Sequence, residues 1–374
     1  MELLTTIRHA RGPGRGRGIH LYMNTTARET SLDVARGAGI ILVVYGHVLR
    51  GAVSSGLVPA GVPDTVFAWT DYVIYTFHMP LFFFLSGLHV CHSLRGAPKR
   101  FIGSKVRTIV YPYLLWSVLQ GGVQIAMASR GTNHPFTFGD LLSIGWRPFA
   151  QFWFLYALML CMIAAWLFAR WVPVFPQVPM APRIRGALLA SAVLGLAIGT
   201  VTQWGIVSTA LMNWPFFVAG VVASHALPGW LERNSHPAMC GLTAVAFVAA
   251  VAFAHGVGSA TSIWAVPAAF AGITLMLQLA YRHAASSARA GWLAAIGYAS
   301  MPIYLMHILV MAGVRIVLMR VGVGSLATHL VLGTLAGVAV PMMAYLIALR
   351  TGTARIAGFP AWPGRGAAAR PQPA

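Results

Sequence analysis

The chain has 374 residues, of which 58% are hydrophobic and only 9% charged, and its formal net charge is +19. A mean hydropathy of +0.72, with charge far below the about 25% of soluble domains, identifies lipid as the solvent. The basic residues punctuate apolar runs without forming a face, so they read as topology signals and not as a nucleic-acid surface.

Residues 1–30 carry Arg8, Arg11, Arg15 and Arg17 among glycines, without the apolar core of a cleavable signal peptide. They read as a disordered basic tail, and a start at Met23 would remove most of it. Apolar windows of about 20 residues then follow near 37–56, 71–92, 108–128, 151–170, 186–204, 206–226, 237–256, 261–281, 292–314 and 327–349. The expected fold is an all-α, polytopic membrane helix bundle of about ten transmembrane helices, filling residues 31–349. Residues 350–374, rich in Gly, Pro, Ala and Arg, read as a disordered C-terminal tail.

Alternate loops differ sharply in basic content. One side collects the N-terminal arginines, Arg95 to Arg107, Arg183, Arg185, Arg282 and the C-terminal arginines, whereas the other holds Arg50, Arg130, Arg147, Arg315 and Arg320. The positive-inside rule therefore places both termini in the cytoplasm and supports an even number of crossings. Cys91, Cys161 and Cys240 show no ligand spacing, so neither a disulfide framework nor a metal site is expected.

Acids are scarce and none lies deep in an expected span, which argues against a buried carboxylate relay or a glycosidase pair. Histidine is the remaining base. Arg36 and His47 lie on one apolar helix, and eleven steps of about 100° put them on one face, about 16 Å apart. If Arg36 marks the inner surface, His47 lies near the midplane of a core about 30 Å thick, where an ionisable residue marks a functional site. On the antiparallel second span, His78 lies seven residues after Asp71, about 10 Å deep, and reaches a similar level. Next to Pro80, His78 is read equally well as capping a broken helical turn. Arg36 fits two readings: a side chain snorkelling to the interface, or an anion ligand oriented by Asp33 three residues earlier. Lys99, Arg100, Lys105 and Arg107 are likewise either topology signals or holders of a phosphate-rich cytosolic donor.

Five segments in order resemble the acyltransferase 3 family of integral-membrane acyltransferases. They are Ser31–Gly37 leading to Tyr45-Gly46-His47, then Phe77-His78-Met79-Pro80-Leu81-Phe82, then Lys105–Trp116, then Phe152–Tyr156, and finally Ile296–His307. The resemblance covers roughly residues 30 to 349, and its second block is similar to the branch described as fucose 4-O-acetylase-like. It implies transfer of an acyl group, often acetyl, from a cytosolic donor, usually acetyl-CoA, to a hydroxyl of a carbohydrate, lipid or metabolite. By position His47 is then the catalytic base and Arg36 its motif partner, with Lys105 and Arg107 beside the donor phosphates. Ser104 replaces the first arginine of the family's Arg-x-x-Arg pair, and the periplasmic hydrolase-like domain of some members is not expected. His78 and His307 are further candidates for an acyl relay, although packing explains His307 equally well. The implied location is a bacterial inner membrane, with acyl-CoA, a carbohydrate or lipid-linked acceptor and membrane lipids as partners. The rival reading is a transporter or exporter of a glycan or lipid.

Overall fold

In lipid an apolar stretch satisfies its backbone only as a helix, and helices are what the chain forms. The structure, a computed structural model, describes residues 15–57, 64–127, 137–172, 180–286 and 290–361, and contains no strand among them. In chain order the helices are α1 (Arg15–Ser54), α2 (Asp64–Leu94), α3 (Pro98–Lys105), α4 (Tyr111–Met127) and α5 (Phe138–Leu142). There follow α6 (Trp153–Trp171), α7 (Pro182–Val201), α8 (Ile206–Ala223), α9 (Leu227–Asn234) and α10 (Pro237–Val257). The last four are α11 (Val266–Ser286), α12 (Ala290–Tyr298), α13 (Ser300–Arg320) and α14 (Leu326–Arg350).

Nine of the described helical segments are long and apolar enough to cross a membrane. The expected window at 108–128 falls on α4, whose 17 residues are continued backwards by a π-helical turn, Val106–Val110. Together they reach about 33 Å, enough for the hydrocarbon core. Side-chain placement requires this crossing too. Lys105 lines a cavity with Arg36 and His89, whereas Trp153 lines another with Arg50 and Tyr75, toward the opposite ends of α1 and α2. The chain therefore changes sides between residues 105 and 153, and α4 carries it.

α1 is the central element. It packs against α2, α11, α12, α13 and α14, and Ala35, Ile40, Val44 and Leu49 are fully or almost fully buried along it. Its contact with α12 is unusually close. A β-carbon on Gly37 would stand 2.0 Å from the Leu293 carbonyl oxygen, and one on Gly297 would stand 2.0 Å from the Asp33 carbonyl oxygen. Small residues at a helix contact let backbones approach in this way where lipid gives no hydrophobic drive.

The expected tails differ from the structure at their inner edges. The helical backbone of α1 starts at Arg15, inside the 1–30 stretch, because a helix anchored by a packed crossing extends backwards at little cost. At the other end the chain packs to Pro360 instead of leaving at residue 350. Ala354 and Phe359 are buried, the Trp116 indole donates to the Ala357 carbonyl at 2.9 Å, and the Tyr345 hydroxyl donates to that of Pro360 at 3.0 Å. Aromatic side chains of α4 and α14 supply the apolar contact that composition alone does not reveal. The outer parts of both expected tails, 1–14 and 362–374, lie outside the described residues.

The α1–α12 contact predicts that Gly297→Ala costs about 1–3 kcal/mol, because a backbone carbonyl offers no rotamer to move aside. Thermal unfolding of the detergent-solubilised protein measures this, with Gly103→Ala, which has nothing within 4 Å of its added carbon, as the unaffected control.

Candidate active site

Two antiparallel helices of equal spacing build the site. Arg36 and His47 are eleven residues apart on α1, and His89 and His78 are eleven apart on α2. Arg36 meets His89 at one end, its Nη2 lying 2.8 Å from the His89 Nε2. Its Nη1 donates to the Asp33 carboxylate at 2.6 Å, and the Tyr298 hydroxyl also hydrogen-bonds Asp33. Asp33 is buried while the Arg36 side chain stays 27% exposed, so the carboxylate orients a guanidinium that still faces open space. Arg36 is thus paired with a buried acid and at the same time lines the open space beside it.

That open space is a cavity of about 280 Å³ between α1, α2, α6 and α13. Arg36, His89, Ser93, Lys105 and Thr108 supply its polar wall, and Val43, Phe82, Leu155 and Tyr304 part of its apolar wall. Lys105 extends its ammonium to within 3.4 Å of the Ser93 hydroxyl. Burial lowers the pKa of Lys105 from the ordinary lysine value. Arg107 does not line this cavity. It borders a separate basic pocket with Lys99, Arg100 and Ser104, and Thr108 is common to both. Sequence reasoning missed His89, although its spacing from His78 repeats that of Arg36 from His47.

One turn beyond Val43 stands His47, half-buried. Its ring lies 5.2 Å from that of His307, tilted by 51°, and 6.1 Å from Tyr75 in an edge contact. Tyr75 in turn meets His78 edge-on at 4.5 Å. The structure therefore joins His47 to His307 directly and to His78 only through Tyr75. α2 runs unbroken through Pro80, so His78 caps no broken turn; its Nδ1 donates to the Ile74 carbonyl at 2.6 Å. Over Tyr75 lies the Arg50 guanidinium, 3.1 Å from the ring centroid, held by two hydrogen bonds of 2.6 and 2.8 Å to Asp71.

Beyond this row a second cavity of about 480 Å³ opens at the other end of the bundle. Its lining is neutral apart from Arg50: Tyr75, Trp153, Thr209, Asn213, Thr261 and Ser262 face it, and Met79 lines both cavities. The loop that carries Thr261 and Ser262 is pinned to α2 at Gly258, whose carbonyl accepts from the Tyr72 hydroxyl at 3.0 Å. His47 lines neither cavity and stands between them.

A multi-pass helical bundle with a basic cavity, a neutral cavity and an imidazole pair between them is the class of protein the site defines. The acyltransferase-domain family called acyltransferase 3 matches residues 29–346, and the chain belongs to that family. It is 24% identical over 223 residues to nodulation protein NolL of Mesorhizobium japonicum (strain LMG 29417 / CECT 9101 / MAFF 303099), a match covering 59% of this chain and 54% of that protein. To nodulation protein NolL of Sinorhizobium fredii (strain NBRC 101917 / NGR234) it is 26% identical over 210 residues, covering 54% and 50%. The chain thus spans about half the length of the curated relatives it matches. No solved structure matches it.

The Asp33–Arg36 pair yields a stability prediction. Arg36→Gln leaves the buried Asp33 carboxylate without its cation and should cost about 1–3 kcal/mol. Adding Asp33→Asn should recover most of that loss, because no buried charge remains. Thermal unfolding of the single and double variants reads the difference; additive losses would contradict the pairing.

Proposed function

We propose that the chain is an integral-membrane O-acyltransferase of a bacterial inner membrane. It moves an acyl group, acetyl being the expected one, from a cytosolic acyl-CoA to a hydroxyl of a surface carbohydrate or lipid-linked glycan. The observation that carries this reading is the position of His47, one turn beyond a cavity bearing Arg36 and Lys105 and beside the wall of a neutral one. Guanidinium and ammonium groups hold phosphate oxygens, so the basic cavity suits the anionic donor. Arg107 and its basic neighbours lie just outside, where a longer phosphate-bearing molecule would extend. The neutral cavity suits an uncharged hydroxyl acceptor.

In this mechanism His47 is the general base, its neutral imidazole offering a ring-nitrogen lone pair to the acceptor proton. It takes the proton of the acceptor hydroxyl as the oxygen attacks the thioester carbonyl. Collapse of the tetrahedral adduct forms the ester and breaks the carbon–sulfur bond, and the imidazolium returns its proton to the leaving thiolate. Asp33 orients Arg36 toward the donor, and His78, anchored to the Ile74 carbonyl, supports Tyr75 beside His47.

Mass spectrometry of surface glycans and lipids from matched strains tests the reaction. Wild type should add one acetyl mass, and His47→Ala should lose it while still binding coenzyme A. Equal gain in the variant would remove His47 as the base, and no gain in any strain would favour a glycan or lipid exporter. The donor site has a pH signature. Because burial lowers the Lys105 pKa, its charge is lost at a lower pH than for a free lysine. Coenzyme A binding, measured calorimetrically, should therefore weaken as pH rises through that lowered value. Lys105→Arg should remove this alkaline limb, since a guanidinium stays charged.

A further inference from the structure

His307 is fully buried on α13, and its two ring nitrogens have opposite fates. Nδ1 lies 2.8 Å from the Tyr304 carbonyl and 3.1 Å from the Ile303 carbonyl. Carbonyl oxygens only accept, so Nδ1 carries the proton and the neutral ring presents a lone pair at Nε2. That Nε2 is buried and has no hydrogen-bond partner in the protein. A buried acceptor left open is costly and rare, so a donor is expected to meet it during the working cycle. The nearest imidazole is His47, which itself makes no hydrogen bond with the described residues. Two imidazoles, the His307 ring with a fixed tautomer and an open buried Nε2, thus adjoin across a contact that a small ring rotation or one water closes.

We propose that His307 is the positioning residue of the base: its Nε2 accepts the ring N–H of His47 and so turns the other nitrogen of His47, with its lone pair, toward the acceptor hydroxyl. This rests on the reading of His47 as the base. When His47 takes the hydroxyl proton, its first N–H stays in place, and the bond to His307 becomes charge-assisted and stronger. No covalent bond forms at His307, and the captured proton leaves with the thiolate. The Ile296–His307 block then has a physical role. Gly297 brings α12 against Asp33, while the histidine ten residues on reaches His47 from the helix that follows.

The test pairs a volume-filling variant without an acceptor, His307→Leu, with one that retains an acceptor oxygen, His307→Gln. Purified full-length protein in lipid nanodiscs is assayed for acetyl-CoA turnover and for coenzyme A binding. His307→Leu should lower kcat roughly 100-fold or more, the scale seen when a partner that orients a histidine is removed. KM for acetyl-CoA and coenzyme A binding should stay unchanged, and His307→Gln should restore a large part of kcat. A second measurement needs no turnover. With ring-15N-labelled histidine, and the His47 signals identified by their loss in His47→Gln, the hydrogen-bonded ring proton of His47 should be present in wild type. It should vanish in His307→Leu and return in His307→Gln. His307→Leu with wild-type kcat, or an unchanged His47 ring signal in that variant, would overturn the proposal. If the wild type turns over no acetyl-CoA, the acyltransferase reading is the one that fails, and the nitrogen spectra still decide the pairing.

Discussion

Lipid offers no hydrogen-bond partner to a polar side chain, so each ionisable residue of the central helix must be answered by a neighbour. Asp33 is answered by Arg36 and by Tyr298 of α12, Arg36 by His89 of α2, and Arg50 by Asp71 of α2. These contacts set the register of α1 against α2 and α12. His47 lies between these pairs, eleven residues after Arg36 and three before Arg50. Beside His47, the Nε2 of His307 is buried without a hydrogen-bond partner in the protein.

The two cavities follow from the same arrangement. At the Arg36 end the helices separate around a guanidinium that Asp33 holds in place, and Lys105 of α3 adds a second positive charge. At the Arg50 end the charge is used up by Asp71 and by the Tyr75 ring, so the lining is functionally neutral. The two cavities thereby present different electrostatics on the two sides of His47. Met79 lines both cavities, so the partition between them is about one residue thick.

Some polar residues serve architecture instead. His329, buried on α14, lies 2.8 Å from the Val323 carbonyl through its Nε2 and closes the turn before its own helix. The Trp69–His255 stack, with ring centroids 3.8 Å apart, ties the start of α2 to the end of α10. Gln120 and Gln151 exchange amide hydrogen bonds of 3.2 and 2.7 Å in the core between α4 and the segment before α6. In each case the contact is already made within the protein, whereas the Nε2 of His307 stays open.

How much was legible in the chain itself follows from what is local. Helix rise and periodicity are properties of one segment, so composition and spacing alone determined an all-helical membrane bundle, the alternation of its crossings, and the shared face of Arg36 and His47. They also placed Asp33 one turn from Arg36. Partnership between helices is not local. Only the tertiary structure decided that His307, not His78, meets His47, and that Lys105 reaches the Arg36 cavity while Arg107 stays outside. The same holds for residues 351–360, which pack against Trp116 and Tyr345. Lateral order and rotation of helices in a bundle depend on small residues such as Gly37 and Gly297 meeting across it, and no single segment carries that information.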